Sequence, residues 1–157
     1  MNTKSGAAGI VIRDGKILVM RRIKKGKEYY TFPGGSVEAG ETPEQTVVRE
    51  VDEETSISAT VKKYIYYIKY DDGTNRHFFL CEYQNGEPKL RDDSPEAVRT
   101  KAGDNIYYPM WVNISDLPKL LLYPLEVRDW VISDIPAGFS GPLRGVKMRL
   151  VDRRETL

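Results

Sequence analysis

Apolar and polar positions alternate in short blocks along most of the chain. Residues 7–13 and 16–22 are two β-rich runs with Asp14-Gly15 between them. Asp-Gly between two such runs predicts a type I′ hairpin, because both central residues must take positive φ. Residues 29–32 predict a third short strand, and residues 23–28 between it and the hairpin read as a polar, basic turn. Residues 57–70 predict a long strand rich in tyrosine, valine and isoleucine. Residues 71–75 predict a turn, residues 76–83 a returning strand, and residues 84–86 its close. Residues 88–105 show little periodicity and read as a loop. Residues 106–112 predict another strand, at an edge or bulge because of Pro109. A helix is expected to start at Ser115-Asp116-Leu117, with Leu117, Leu120 and Leu121 as its apolar face. Pro124 restarts the chain into a last helix over 125–135 that buries Val127, Trp130 and Val131. Gly138, Gly141, Pro142 and Gly145 then interrupt the chain before residues 146–151 alternate. That end predicts an added strand or a contact between two copies of the chain.

One stretch has the helical period instead. Thr42 reads as an N-cap, Pro43 as the first helical residue, and Gln45 completes a capping box. Glu44 places negative charge at the positive end of the helix dipole. The helix is expected to run to about Thr55 or Ser56. At about 100° per residue, Val47, Val48 and Val51 form a core face. Glu50, Glu53 and Glu54 fall together on the adjacent side, with Arg49 next to Glu53. Carboxylates at i,i+3 and i,i+4 repel and destabilise a helix. A divalent cation would turn that repulsion into attraction, and hard oxygen ligands suit Mg²⁺ or Mn²⁺, with a phosphate substrate as companion. The same spacing also occurs on an ordinary solvated acidic face. The glycine loop Phe32-Pro33-Gly34-Gly35 directly before the helix shifts the reading toward a site.

Composition narrows the class. The 157 residues suit one domain over 1–157, with 136–157 as a C-terminal extension. A formal net charge of +1 gives no global basic field, so no nucleic-acid partner is expected. No run is long enough for a membrane span, and the first six residues lack the apolar stretch of a signal peptide. The single cysteine, Cys81, excludes an intrachain disulfide and reads as a small core residue, which fits a reducing, cytoplasmic setting. The single histidine, His77, excludes a His-pair zinc site and reads as a packed or edge residue. Most of the 10 tyrosines read as strand packing rather than a base-stacking platform. The irregular order of strands and helices indicates an α/β chain with a mixed sheet.

Gly35, five residues, Glu41, seven residues, then Arg49-Glu50-Val51-x-Glu53-Glu54-x-x-Ile57 resembles the Nudix box of MutT-like hydrolases, G-x5-E-x7-R-E-U-x-E-E-x-G-U. Every fixed position matches except Ser56, where the family has glycine at the left-handed close of the helix. The resemblance implies an α/β/α sandwich with a mixed sheet. It also implies hydrolysis of a small nucleotide-type substrate, a nucleoside diphosphate linked to another group, by attack of water on phosphorus. Metal ions, Mg²⁺ or Mn²⁺, would be held by Glu50, Glu53, Glu54 and the Gly35 carbonyl. Arg49 would hold Glu41 or Glu53 by a bidentate contact. The general base would be Glu53 first and Glu96 second, the latter because related enzymes often bring a further carboxylate from a loop such as 88–105. A homodimer is a further expectation by analogy.

Two other readings stay open from the residues. One is a nucleotide sensor of the same fold without turnover. The other is isomerisation of an isoprenoid diphosphate, which would need a catalytic cysteine in a suitable place. Lysines 24, 25 and 27 read as a solvated loop tip, and Arg144, Lys147 and Arg149 as solvated or substrate-facing cations.

Overall fold

The computed structural model describes residues 4–103 and 105–149. Strands β1 (Ser5–Arg13) and β2 (Lys16–Lys24) form the expected hairpin, with φ of 52° at Asp14 and 74° at Gly15. The basic turn is shorter than expected. Only Lys25-Gly26 turns, again with both φ positive, so Ile23 and Lys24 pair with Glu28 and Lys27 of β3 (Lys27–Thr31). Next come β4 (Gly34–Ser36), α1 (Pro43–Thr55), β5 (Ser58–Tyr70) and β6 (Asn75–Asn85). Then follow α2 (Pro95–Ala102), β7 (Asn105–Asn113), a 3₁₀ segment Ile114–Lys119 and β8 (Leu122–Tyr123). α3 (Leu125–Asp134), a short 3₁₀ turn and β9 (Arg144–Met148) complete the described chain.

The strands make one mixed sheet in the order β8-β3-β2-β1-β6-β5-β9, with β4 added to β1 and β7 to β2. β1 runs parallel to β6 in the middle, and β9 runs parallel to β5 at one edge. Alternation along β1 decides what each face covers. Ala7 and Val11 point to the face where Val47 and Val51 of α1 pack with Leu18, Phe79 and Cys81. Ala8 and Ile10 point to the opposite face, against Leu117, Leu122, Val127 and Val131. This is the expected α/β/α layering on a mixed sheet.

Five local expectations change. Val48 is 40% exposed, and the buried positions of α1 are Thr46, Val47, Val51 and Thr55. The contact line follows i,i+4 from Val47, and each threonine can be buried because its hydroxyl bonds a backbone carbonyl one turn back. The glycine loop is partly strand, since Gly34 and Gly35 pair with Ala8 and Ala7. The 88–105 stretch contains α2, capped by Ser94 at one end and by left-handed Gly103 at the other. The element at Ser115 is a 3₁₀ segment with Pro118 inside, and Leu121 beyond it is 50% exposed. Trp130 is half-buried, its ring 5.3 Å from that of Tyr66. Pro109 does lie in an edge strand, because β7 pairs with β2 alone among the described residues. The C-terminal alternation yields β9; Leu150 and Val151 lie outside the described residues. No helix among the described residues is long and apolar enough to cross a membrane.

α1 begins as its sequence demands, with Thr42 and Gln45 bonding reciprocally at 2.9 and 3.2 Å. It ends at Ser56, held left-handed at φ 62°. The Ser56 hydroxyl donates to the Lys89 carbonyl at 2.6 Å, which a glycine could not do. The two effects oppose each other: glycine relieves about 1 kcal/mol of left-handed strain and forfeits a hydrogen bond of about the same worth. Ser56→Gly is therefore expected to move the unfolding free energy by less than about 1 kcal/mol, measured by denaturant titration. A larger loss would mean that the Lys89 contact dominates.

Candidate active site

The site is built where β4 meets α1. Gly35 lies so close to the Glu50 carboxylate that a Cβ there would collide with it, which explains the glycine by close approach. Its neighbour Gly34 is equally constrained, since a Cβ would come within 2.7 Å of the Ala8 side chain. The Gly34 backbone N–H lies near enough to the Glu54 carboxyl to favour its charged form, so strand and helix meet at the carboxylates.

Arg49 is the hub. Its Nε and Nη2 form a fork on Glu41 at 2.7 and 2.9 Å. Its Nη1 reaches Glu50 at 2.8 Å and Glu53 at 3.3 Å, and Nη2 also donates to the Ser36 carbonyl at 3.2 Å. The guanidinium and the Thr46 hydroxyl hold Glu41 down to a pKa of about 2. Of the two alternatives for a bidentate Arg49 contact, Glu41 is the one gripped by the fork, and Glu53 receives a single Nη1 bond.

Glu50 and Glu54 stand one turn apart on α1 with their carboxyl groups close enough to share a proton. Burial pushes the Glu54 carboxyl well above its usual range, and the charges of Glu50 and Glu96 add to this. Burial also raises Glu50, against the pull of Arg49. Glu53 is 45% exposed and turned to Arg49, so among the described residues no three ligating side chains form a ready-made metal cluster. Glu96 stands on the first turn of α2, near enough for its charge to act on Glu54. That helix is tied to the site from both ends. Lys89 N–H donates to Thr55 O at 2.8 Å and Arg91 pairs with Asp52, while Tyr107 N–H donates to the Thr100 hydroxyl at 3.0 Å.

Sequence reasoning missed one cluster on the α1 side of the sheet. Arg22 follows Leu18 and Met20 in the strand register that faces α1. Its guanidinium lies 3.7 Å from the centre of the Tyr107 ring and 5.5 Å from that of Tyr29, and it donates to Asn105 at 2.6 Å. Its Nε is buried without a hydrogen-bond partner among the described residues. The available signal was a cation in the inward register of an otherwise apolar strand.

Other candidates fall away from the carboxylates. Arg144 pairs with Asp134 at 2.8 Å on the edge strand, and Lys24, Lys25 and Lys27 are exposed. His77 is half-buried and bonded to Tyr64 at 2.7 Å. Cys81 packs beneath α1 at 4% exposure, and burial pushes its thiol up to about 12. Native protein should therefore resist alkylation at pH 8 by at least about 100-fold relative to unfolded protein, as read by iodoacetamide labelling and mass spectrometry. Rapid native labelling would contradict the packing and revive a reactive cysteine.

Three comparisons place the chain among known proteins. The NUDIX domain pattern matches residues 3–132. The chain is 39% identical over 118 residues to the ADP-ribose pyrophosphatase of Methanocaldococcus jannaschii, covering 71% of this chain and 63% of that protein. It is 41% identical over 78 residues to the 8-oxo-dGTP diphosphatase of Escherichia coli, covering 47% and 60%. The matched segments thus span less than two thirds of either relative's length. The crystal structure of a NUDIX hydrolase from Nitrosomonas europaea aligns with a TM-score of 0.72 over 95% of this chain and 80% of that one. At 15% identity that likeness speaks for the fold alone.

Proposed function

The chain belongs to the NUDIX family, and on that premise we propose that it hydrolyses the diphosphate bond of a small nucleotide-type substrate with the help of Mg²⁺ or Mn²⁺. The observation that carries this reading is the contact between Glu50 and Glu54. Two carboxyl groups pressed together, with a third charge from Glu96 nearby, need a proton or a cation between them. This all-oxygen set fits a hard divalent ion. Glu50, Glu54 and the Gly35 carbonyl would hold it, with Glu53 joining by rotating away from Arg49. Once bound, such an ion neutralises diphosphate charge and makes water more acidic.

The remaining work falls to side chains and backbone. Arg49 fixes Glu50 and Glu53 in place, and Glu41 in turn fixes Arg49. The bare backbone of Gly34 and Gly35 lets a diphosphate come close to the carboxylates. A general base must take a proton from the attacking water as the oxygen bonds to phosphorus and the second phosphate departs. Glu53 remains the first choice for that base, because its side chain is 45% exposed against 14% for Glu50. Glu96 is the second.

The test is a substrate series containing ADP-ribose, nucleotide sugars, nucleoside triphosphates and dinucleoside polyphosphates, run with Mg²⁺ and then Mn²⁺. Turnover of at least one class is expected, with a fall of at least about 100-fold when a chelator is added. Tight nucleotide binding without turnover under either ion would favour a sensor instead.

A further inference from the structure

α2 is held in place with little apolar help. Ala97 is its one buried residue, and Glu96 and Thr100 lie half-buried on the same side of the helix. Burial of a single methyl group fixes a helix only weakly. Polar contacts therefore decide where the first turn of α2 stands, and Glu96 with it.

Those contacts run without a break from the end of α1. Gly86 lies so close to the Ser56 carbonyl oxygen that a Cβ there would collide with it, and Tyr83 Oη donates to the Gly86 carbonyl at 2.8 Å. Farther along, both backbone groups of Lys89 bind the close of α1. Its N–H donates to Thr55 O at 2.8 Å, and its carbonyl accepts from the Ser56 hydroxyl at 2.6 Å. The glycine of the Nudix box has no hydroxyl to offer, so this bond belongs to the departure at Ser56. The Arg91 guanidinium then pairs with Asp52, one turn before Ser56 on α1. The Arg91 carbonyl accepts from both the N–H and the hydroxyl of Ser94, at 3.1 and 2.8 Å. The Ser94 hydroxyl oxygen accepts in turn from Ala97 N–H at 3.0 Å and caps α2 beside Glu96. The far end is fixed to β7 by Thr100, whose hydroxyl donates to the Glu96 carbonyl at 2.8 Å and accepts from Tyr107 N–H at 3.0 Å. The Arg91 and Asp52 side chains are 45% and 46% exposed, and such pairs add little to global stability. Their effect is to set a position.

We propose that Asp52, Ser56 and Arg91 are positioning residues: through the 86–94 segment they hold Glu96 at the α1 carboxylates and so strengthen ion binding there without touching the ion or the substrate. The consequence for the ion rests on the metal-dependent reading above, whereas the tether itself can be measured without metal. Hydrogen exchange in the metal-free full chain is the first readout. Arg91→Gln should speed exchange of the α2 amides at least tenfold and leave Val47 and Val51 unchanged. Mn²⁺ affinity, measured by titration without substrate, is the second. By charge alone, removing the Arg91 cation would tighten Mn²⁺. Loss of position predicts the opposite sign, a weakening of about tenfold, with a similar loss for Glu96→Gln. The double variant should be no weaker than the worse single one, since both act through the same carboxylate. Arg91→Lys keeps a cation for Asp52 and should recover most of the affinity. Ser56→Gly should weaken Mn²⁺ severalfold, and it covers the case in which the Arg91 variant folds poorly. Unchanged α2 exchange, tighter or unchanged Mn²⁺ binding in Arg91→Gln, or losses that multiply in the double variant would overturn the proposal. Failure of the hydrolysis reading would show separately, as Mn²⁺ affinities that follow this pattern in a protein without turnover.

Discussion

Glu54→Gln is expected to lower kcat by about 10³-fold while making the metal-free protein more stable. The two effects come from one cause. Glu54 is pressed against Glu50 and feels the charge of Glu96, and burial removes much of the water that would screen them. A neutral amide of the same shape removes that repulsion, worth about 1–3 kcal/mol for an uncompensated buried polar group. For a chain of this length the unfolding temperature should rise by several degrees. The catalytic loss follows because the charge that would hold the ion against the diphosphate is gone. The pH dependence has a definite sign. The folded-state pKa of Glu54 is raised, so its favourable contribution is fully present below the ordinary value of 4.5 and is lost as pH rises through the higher folded value. Without metal, wild-type stability should therefore decline as pH climbs above 4.5, and the variant should show a flatter profile. Thermal unfolding of both proteins from pH 4 to pH 8 measures this. A variant that is both inactive and less stable at pH 7 would show that the carboxylate is a structural acceptor rather than a strained ligand.

Arg49→Lys should be damaging in both respects. The guanidinium is 23% exposed and serves Glu41, Glu50, Glu53 and the Ser36 carbonyl at once. An ammonium cannot reproduce the fork on Glu41 while also reaching the other carboxylates. Leaving these groups under-paired costs about 3 kcal/mol. Misplacing Glu50 and Glu53 by about 1 Å should lower kcat by about 100-fold. Glu41 supplies a control through pH. Its pKa is depressed to about 2, so the stability it contributes is present above 4.5 and is lost as pH falls toward 2. The stability gap between wild type and variant should accordingly narrow in acid. Denaturant titrations at pH 7 and pH 3 test that; a gap unchanged by pH would mean that Arg49 stabilises mainly by packing.

What could be read from the chain in advance was what is local. The capping box at Thr42, the Asp14-Gly15 hairpin and the grouping of Glu50, Glu53 and Glu54 each depend on a few neighbouring residues, and all three are present. α2 was missed because it buries only Ala97, so no apolar period betrays it. Its caps, Ser94 and Gly103, are visible in retrospect. Val48 was misplaced because helical spacing gives the angular order of side chains but not the centre of the buried line. That centre is set by Gly9 of β1, which lets Val47 and Val51 come close. Of the Arg22 cluster only the inward cation itself was legible, since its partners Asn105 and Tyr107 stand on a strand far away in sequence. The direct contact of Glu54 with Glu50 was implied by their spacing. The contribution of Glu96 became visible only with α2 in place.

The most direct measurement is hydrolysis of ADP-ribose and a nucleoside triphosphate in ¹⁸O-labelled water, with Mg²⁺ or Mn²⁺, by wild type and Glu54→Gln. Wild type is expected to cleave at least one of them at the diphosphate and leave one ¹⁸O on a product phosphate, and the variant to lose this signal by about 10³-fold. Equal labelling by the variant, or no cleavage of either substrate by folded wild type, would contradict the assignment of the α1 carboxylates as the centre of the chemistry.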